Sequence, residues 1–249
     1  MIAVAALAGL VLGHFLDLAF DRLYTDSPLS GPIYRCSACR TALRPGFAVP
    51  FAGIIWFRGS CPDCNERLPW RALVLPLGSA ALFAISYLAF DELGASLLGG
   101  FFASIFLALT LTDLDRRLLP NRIVYPSILI GAALSWAWPE SSAVEVLAGG
   151  AVAFAIAVAL LLFSLPFGAG AFGMGDVKMI ILIGMVVGFP SILVAVFVGT
   201  FAGGIGAALL ILLRLRSRRD YIPHGPFLAL GALTALFWGQ DIWDWYTDR

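Results

Sequence analysis

Predominantly apolar runs, each of roughly the 17 to 25 residues that a helix needs to cross a hydrocarbon core about 30 Å thick, recur along the chain. They lie at about 1–20, 72–90, 95–112, 123–138, 145–165, 190–213 and 225–243. A shorter run, about 179–189, sits between two of them and brings the count of expected helices to eight. The pattern predicts an all-α polytopic membrane protein. The opening run has no basic segment before it and is followed by Asp21 and Arg22, not by small residues of a cleavage site, so it reads as a retained span and not a leader.

Composition removes the main competing class. With 60% hydrophobic residues, a mean hydropathy of +0.91 and 13% charged residues, the chain has more apolar surface than one soluble core could hide. The net charge of zero says little, because in such a chain position decides. Seven arginines fall between Arg22 and Arg71, three at Arg116, Arg117 and Arg122, one lysine at Lys178, and four more arginines at Arg214, Arg216, Arg218 and Arg219. Basic residues in short loops stay cytoplasmic. Eight crossings put all four groups on that side and both termini outside; the short run at 179–189 is needed for this, since without it Lys178 and the Arg214 group would face opposite sides.

The polar segment 21–71 is the one expected domain outside the membrane, between a first span at 1–20 and a seven-helix membrane domain at 72–249. It holds Cys36, Cys39, Cys61 and Cys64 as two C-x-x-C pairs. Thiolates three apart in tight turns point inward together and suit zinc, so the pairs read as a zinc-knuckle site; two disulfides or free core cysteines are the other readings, and a reducing cytoplasm disfavours the first. Four protein ligands leave no open position for water. Such a zinc is structural, tying together a loop of about fifty residues too small to fold on apolar burial alone.

Acidic residues inside or beside a span are costly and usually face a cavity, a partner or a substrate. Asp176 interrupts "AFGMGDVKMI", and Asp113 follows the apolar run before "DLDRRLLPN". Asp115, beside Arg116 and Arg117, reads as a loop charge screened by them. Two neighbouring carboxyls can hydrolyse an amide. One, ionised, takes a proton from a held water; the other, still protonated, hydrogen-bonds the scissile carbonyl, because like charges a few ångströms apart do not both ionise. Gly173 and Gly175 would let an extended backbone approach.

These residues carry a family resemblance that covers nearly the whole chain. It resembles the type IV prepilin peptidases in Asp113 seven residues before Pro120 and Asn121; in Gly173, Gly175, Asp176 and Lys178 of "G-x-G-D-x-K"; in Gly13, Phe15, Leu16, Arg22 and Leu23; in the cysteine spacing; and in "IPHGPFLALGAL". The resemblance implies an intramembrane aspartyl protease whose catalytic pair is Asp113 and Asp176, with Gly173, Gly175 and Lys178 at the substrate. It further implies cleavage of prepilins or pseudopilins on the cytoplasmic side of the bacterial inner membrane, after a Gly and usually before a Phe. In many members S-adenosylmethionine then methylates the new amino terminus. Membrane lipid and pilus or secretion machinery are the other expected partners; nucleic acid is not.

The chain departs from the family at named positions. Leu75 stands where a Glu is usual, which bears on the methyl transfer. His14 and Asp17 replace a common Ser and Asn; three apart on a helix, they either pair or serve a site. His224 replaces a common Phe and reads as an interfacial side chain. Lys178 either reaches to the interface or tunes Asp176. Two non-peptidase readings stand beside the enzyme: a proton or ion path through the same charges, and a scaffold that docks partners on its cysteine loop.

Overall fold

Lipid offers no hydrogen-bond partner, so apolar runs satisfy their own backbone as helices. The computed structural model describes residues 1–24, 36, 39, 41, 60–61, 63–67, 70–138, 142–167, 173–217 and 222–247. Arg35, Arg40, Arg44, Arg58, Arg218, Arg219 and Arg249, and the first two residues of "AFGMGDVKMI", lie outside them, as do the side chains of Arg22 and Leu23. Among the described residues there are eight α-helices: α1 (Ile2–Tyr24), α2 (Arg71–Ala89), α3 (Leu93–Arg116), α4 (Asn121–Ala133), α5 (Ala143–Ser164), α6 (Met174–Val187), α7 (Ser191–Leu212) and α8 (Gly225–Thr247). They contain no strand, only one isolated antiparallel bridge between Ser60 and Arg67.

Five of the eight, α1, α2, α3, α5 and α7, are long and apolar enough to cross a membrane. The 14 residues of α6 span about 21 Å at 1.5 Å per residue, short of a full hydrocarbon core. α4 is shorter still, and α8 turns polar at Gln240, Asp241 and Asp244.

Two boundaries differ from the apolar pattern, and both move an acid into a helix. α3 runs on to Arg116 because the first residue past it, Arg117, adopts the left-handed conformation (φ 54°) and turns its N–H back to the carbonyl of Asp113 at 2.9 Å. That closing bond gives Asp113 a fixed place in the last turn. α6 starts at Met174, five residues before the uninterrupted apolar run, because Asp176 fits a first turn: its carboxylate accepts the otherwise unpaired N–H of Gly173. α5 opens with a reciprocal cap, Ser142 N–H to Glu145 Oε2 at 2.7 Å and Glu145 N–H to Ser142 Oγ at 3.3 Å.

The inner helices are α3 and α6. α3 packs against α1, α2, α4 and α8, and α6 against α4, α5, α7 and α8. Phe102, Phe106 and Leu109 of α3 and Met179, Ile180, Leu182 and Ile183 of α6 are wholly or almost wholly buried in one apolar core. α5 and α6 approach closely at Gly149 and Gly184, where a Cβ on either glycine would run into the other helix. A short helix wrapped by protein on all sides tolerates polar ends that lipid would penalise, and this places the acid of α6 within the fold.

Candidate functional site

Asp113 is 4% exposed, and its Oδ2 accepts the Gly225 backbone N–H at 2.9 Å. Gly225 is the first residue of α8, 112 positions along the chain. A Cβ there would stand 2.6 Å from that oxygen, so only glycine lets the start of α8 touch the carboxylate. Asp176 is 8% exposed, and its Oδ2 accepts the Gly173 N–H at 3.4 Å. Each carboxylate is therefore held at a helix N-terminus, where the aligned peptide dipoles favour negative charge. Asp113 is within electrostatic reach of Asp176, His224 and Arg117. One oxygen of each acid is tied to backbone.

The two glycines before Asp176 differ in surroundings. The face of Gly173 where a Cβ would point meets Asp176 Oδ2 at 3.5 Å, whereas that of Gly175 is covered by Leu119, whose Cδ1 would be 3.3 Å away. Lys178 turns to α4: its Nζ donates to Asn121 Oδ1 at 2.8 Å and lies 5.5 Å from the centre of the Tyr125 ring.

A second charged group ties the start of the chain to this end of α3. Arg71, 6% exposed at the beginning of α2, reaches Asp17 of α1 (Nε to Oδ1, 3.4 Å) and Asp115 of α3 (a guanidinium nitrogen to Oδ2, 3.1 Å). Asp115 also meets Arg116 at 3.6 Å. It is thus paired as an acid beside arginines should be, but it sits in the last helical turn, and its nearer partner lies 44 residues back in sequence. Leu75 is wholly buried beside Ala108, Leu111 and Leu16.

The cysteines converge. Cys36 N–H bonds Thr41 O and Cys61 N–H bonds Glu66 O, the same five-residue closure in each C-x-x-C turn. Cys36 and Cys64 sulfurs are 3.5 Å apart, Cys39 and Cys61 3.8 Å, and all four lie within 4.8 Å of one another. None is in a disulfide. The Thr41 hydroxyl on the Cys39 sulfur lowers that thiol to about 6. Cys64 feels the Glu66 backbone N–H, which lowers it, yet burial and the other three sulfurs push it up to about 12. A thiolate forms readily at Cys39 while Cys64 resists losing its proton, and a cation among the sulfurs would favour the thiolate form.

The sequence pointed to both acids and all four cysteines but not to Gly225 and His224 beside Asp113, to Leu119 over Gly175 or to Arg71 beside Asp17 and Asp115. The one available signal was the "H-G-P" at the head of the last apolar run.

Comparison with known proteins bears on the same regions. Residues 100–208 match the model of the "Type IV leader peptidase family", and residues 7–90 that of the "Bacterial Peptidase A24 N-terminal domain". The chain is 27% identical over 249 residues to a prepilin leader peptidase/N-methyltransferase of Bacillus subtilis (strain 168), covering 99% of this chain and 98% of that one. Proteins of the same name from Aeromonas salmonicida (strain A449) and Pseudomonas putida are 29% and 24% identical, over 96% and 97% of this chain and 91% and 92% of theirs. No solved structure matches the chain.

Proposed function

The chain belongs to the type IV leader peptidase family, and on that premise we propose that it removes the basic leader of prepilins and pseudopilins with Asp113 and Asp176 as a water-activating pair. The observation that carries the reading is the shared setting of the two carboxylates: both buried, each held by a backbone N–H, and within electrostatic reach of each other. In the proposed reaction the oxygens not tied to Gly225 and Gly173 hold a water between the acids. One ionised carboxylate takes its proton as the water adds to the scissile carbonyl. The other, protonated, hydrogen-bonds the oxygen on which charge develops, and the proton taken from water passes to the leaving amine. Gly173 and Gly175 border the path of the substrate backbone, and Leu119 must yield where it covers Gly175.

The membrane arrangement belongs to the same reading: eight crossings, both termini outside, and the acids at the cytoplasmic mouth, with residues 21–71 as the cytoplasmic domain. Cys36, Cys39, Cys61 and Cys64 would hold a structural zinc. A tetrahedron of about 2.3 Å Zn–S bonds has edges of about 3.8 Å, and the observed 3.5 and 3.8 Å separations fit it. Zinc there would fix the two knuckles and take no part in hydrolysis.

The relatives' name also includes N-methyltransferase; for this chain that would be methylation of the new amino terminus from S-adenosylmethionine, as the family resemblance implies. At the position where the family usually has a Glu, this chain has Leu75, wholly buried in an apolar cluster and without a polar side-chain atom. The transporter and scaffold readings find no counterpart among these relatives.

The deciding experiment co-expresses the protein with a prepilin and follows leader removal by gel mobility. Asp113→Ala and Asp176→Ala are each expected to abolish it, a loss of about a thousandfold or more. Cleavage persisting in both would overturn the reading. The mass of the released amino terminus separately decides methylation.

A further inference from the structure

His224 immediately precedes α8, and several contacts fix its position. The peptide joining it to Gly225 presents its N–H to Asp113 Oδ2 at 2.9 Å. Its own carbonyl accepts the N–H groups of Phe227 and Leu228 at 3.1 Å each, so the same residue closes the first turn of α8. Its ring lies on α7 where Gly203 has no side chain: a Cβ there would stand 2.8 Å from Cε1 and 3.1 Å from Nδ1. The Phe227 ring is 6.4 Å away.

We propose that His224 is a positioning residue of the peptidase: its neutral ring, seated on Gly203, holds the 224–225 peptide against Asp113, and protonation of the ring releases it. This rests on the reading of Asp113 as one of the reacting carboxylates. A bulky ring wedged between α7 and the head of α8 fixes the direction of the peptide that follows it. Without that wedge the Gly225 N–H is free to turn away, and one oxygen of Asp113 loses the bond that orients the other.

The seat is built for an uncharged ring. α7 has no charged residue from Ser191 to Leu212, and α8 has none before Asp241. Among the described residues, the ionisable group facing the ring is Asp113 of α3, itself within reach of Arg117 and Asp176. Burial lowers the proton affinity of the imidazole below its ordinary value, and the smaller pull of Asp113 opposes this. The ring is therefore neutral at neutral pH. As pH falls through its lowered value it gains a charge that the apolar seat does not solvate, and it swings toward water.

The test measures kcat and KM for prepilin cleavage across pH, using the full chain in detergent. His224→Ala is expected to lower kcat about tenfold or more, the scale of a small misplacement of a reacting group, with KM little changed. Gly203→Ala puts a Cβ into the seat and is expected to do the same with the histidine present. His224→Phe keeps a ring and removes its charge: it is expected to recover most of the kcat lost in His224→Ala and to carry activity to lower pH than wild type. Identical acid limbs in wild type and His224→Phe would overturn the proposal, as would unchanged kcat in both alanine variants. Should the alanine variants fold poorly, the pH profile of His224→Phe still decides. Asp113→Asn separates the two readings: if it cleaves, the catalytic reading falls and this one with it; if it is dead while the His224 and Gly203 variants match wild type, only this one falls.

Discussion

Gly225 shows how much one missing side chain can matter. Its N–H meets Asp113 at 2.9 Å only because no Cβ occupies the space 2.6 Å from the same oxygen. Gly225→Ala keeps the donor but forces the carboxylate or the head of α8 to shift. The expected result is a fall in kcat of about a hundredfold with little change in thermal unfolding; the two measurements together separate misplacement from misfolding. Lys178 makes the opposite point. It lies two residues from Asp176 in sequence, yet its ammonium is engaged with Asn121 and Tyr125 on α4.

Between elements, Arg71 links three helices with charges of unequal weight. Its pair with Asp17 is nearly buried, while Asp115 has a 40% exposed side chain. Removing one partner of a buried pair costs about 3–5 kcal/mol, but an exposed pair contributes no more than about 1 kcal/mol. Arg71→Met is therefore expected to destabilise the protein by several times more than Asp115→Asn, as read by denaturant unfolding in detergent. The cap of α5 gives a smaller, local effect: Ser142→Ala loses the bond to the Glu145 N–H and is expected to cost about 1 kcal/mol.

For the whole molecule, two arrangements carry the proposed function: a helical core around α3 and α6, and a cluster of four cysteines that precedes α2 in the chain. The cluster is expected to hold one zinc per chain. Metal analysis of Cys61→Ser should find that zinc lost, and zinc retained at full occupancy would exclude the four-sulfur site. Reporter fusions read the arrangement in the membrane: a fusion at the C-terminus is expected outside, and one in the loop after Leu213 inside.

Helices were legible because lipid-length apolar runs leave the backbone one solution, and the eight runs reappear as eight helices within a few residues at most ends. Both acids were legible because a carboxylate in such a run is a local exception, and the cysteine pairs because metal-ligand spacing is local too. What the sequence could not give was distance across the chain. Nothing near Asp113 points to Gly225, 112 residues away, or to a ring seated on Gly203; nothing near Asp115 points to Arg71. Even the ends of α3 and α6 departed from the apolar pattern, because a left-handed Arg117 and a capping Asp176 set them. By itself, then, the sequence determined the helices, the two acids set into apolar runs and the pairing of the cysteines, all products of local pattern. Only the tertiary structure decided which backbone group holds Asp113, because the packing of α8 against α3 and α7 alone brings the Gly225 N–H within a hydrogen bond of it.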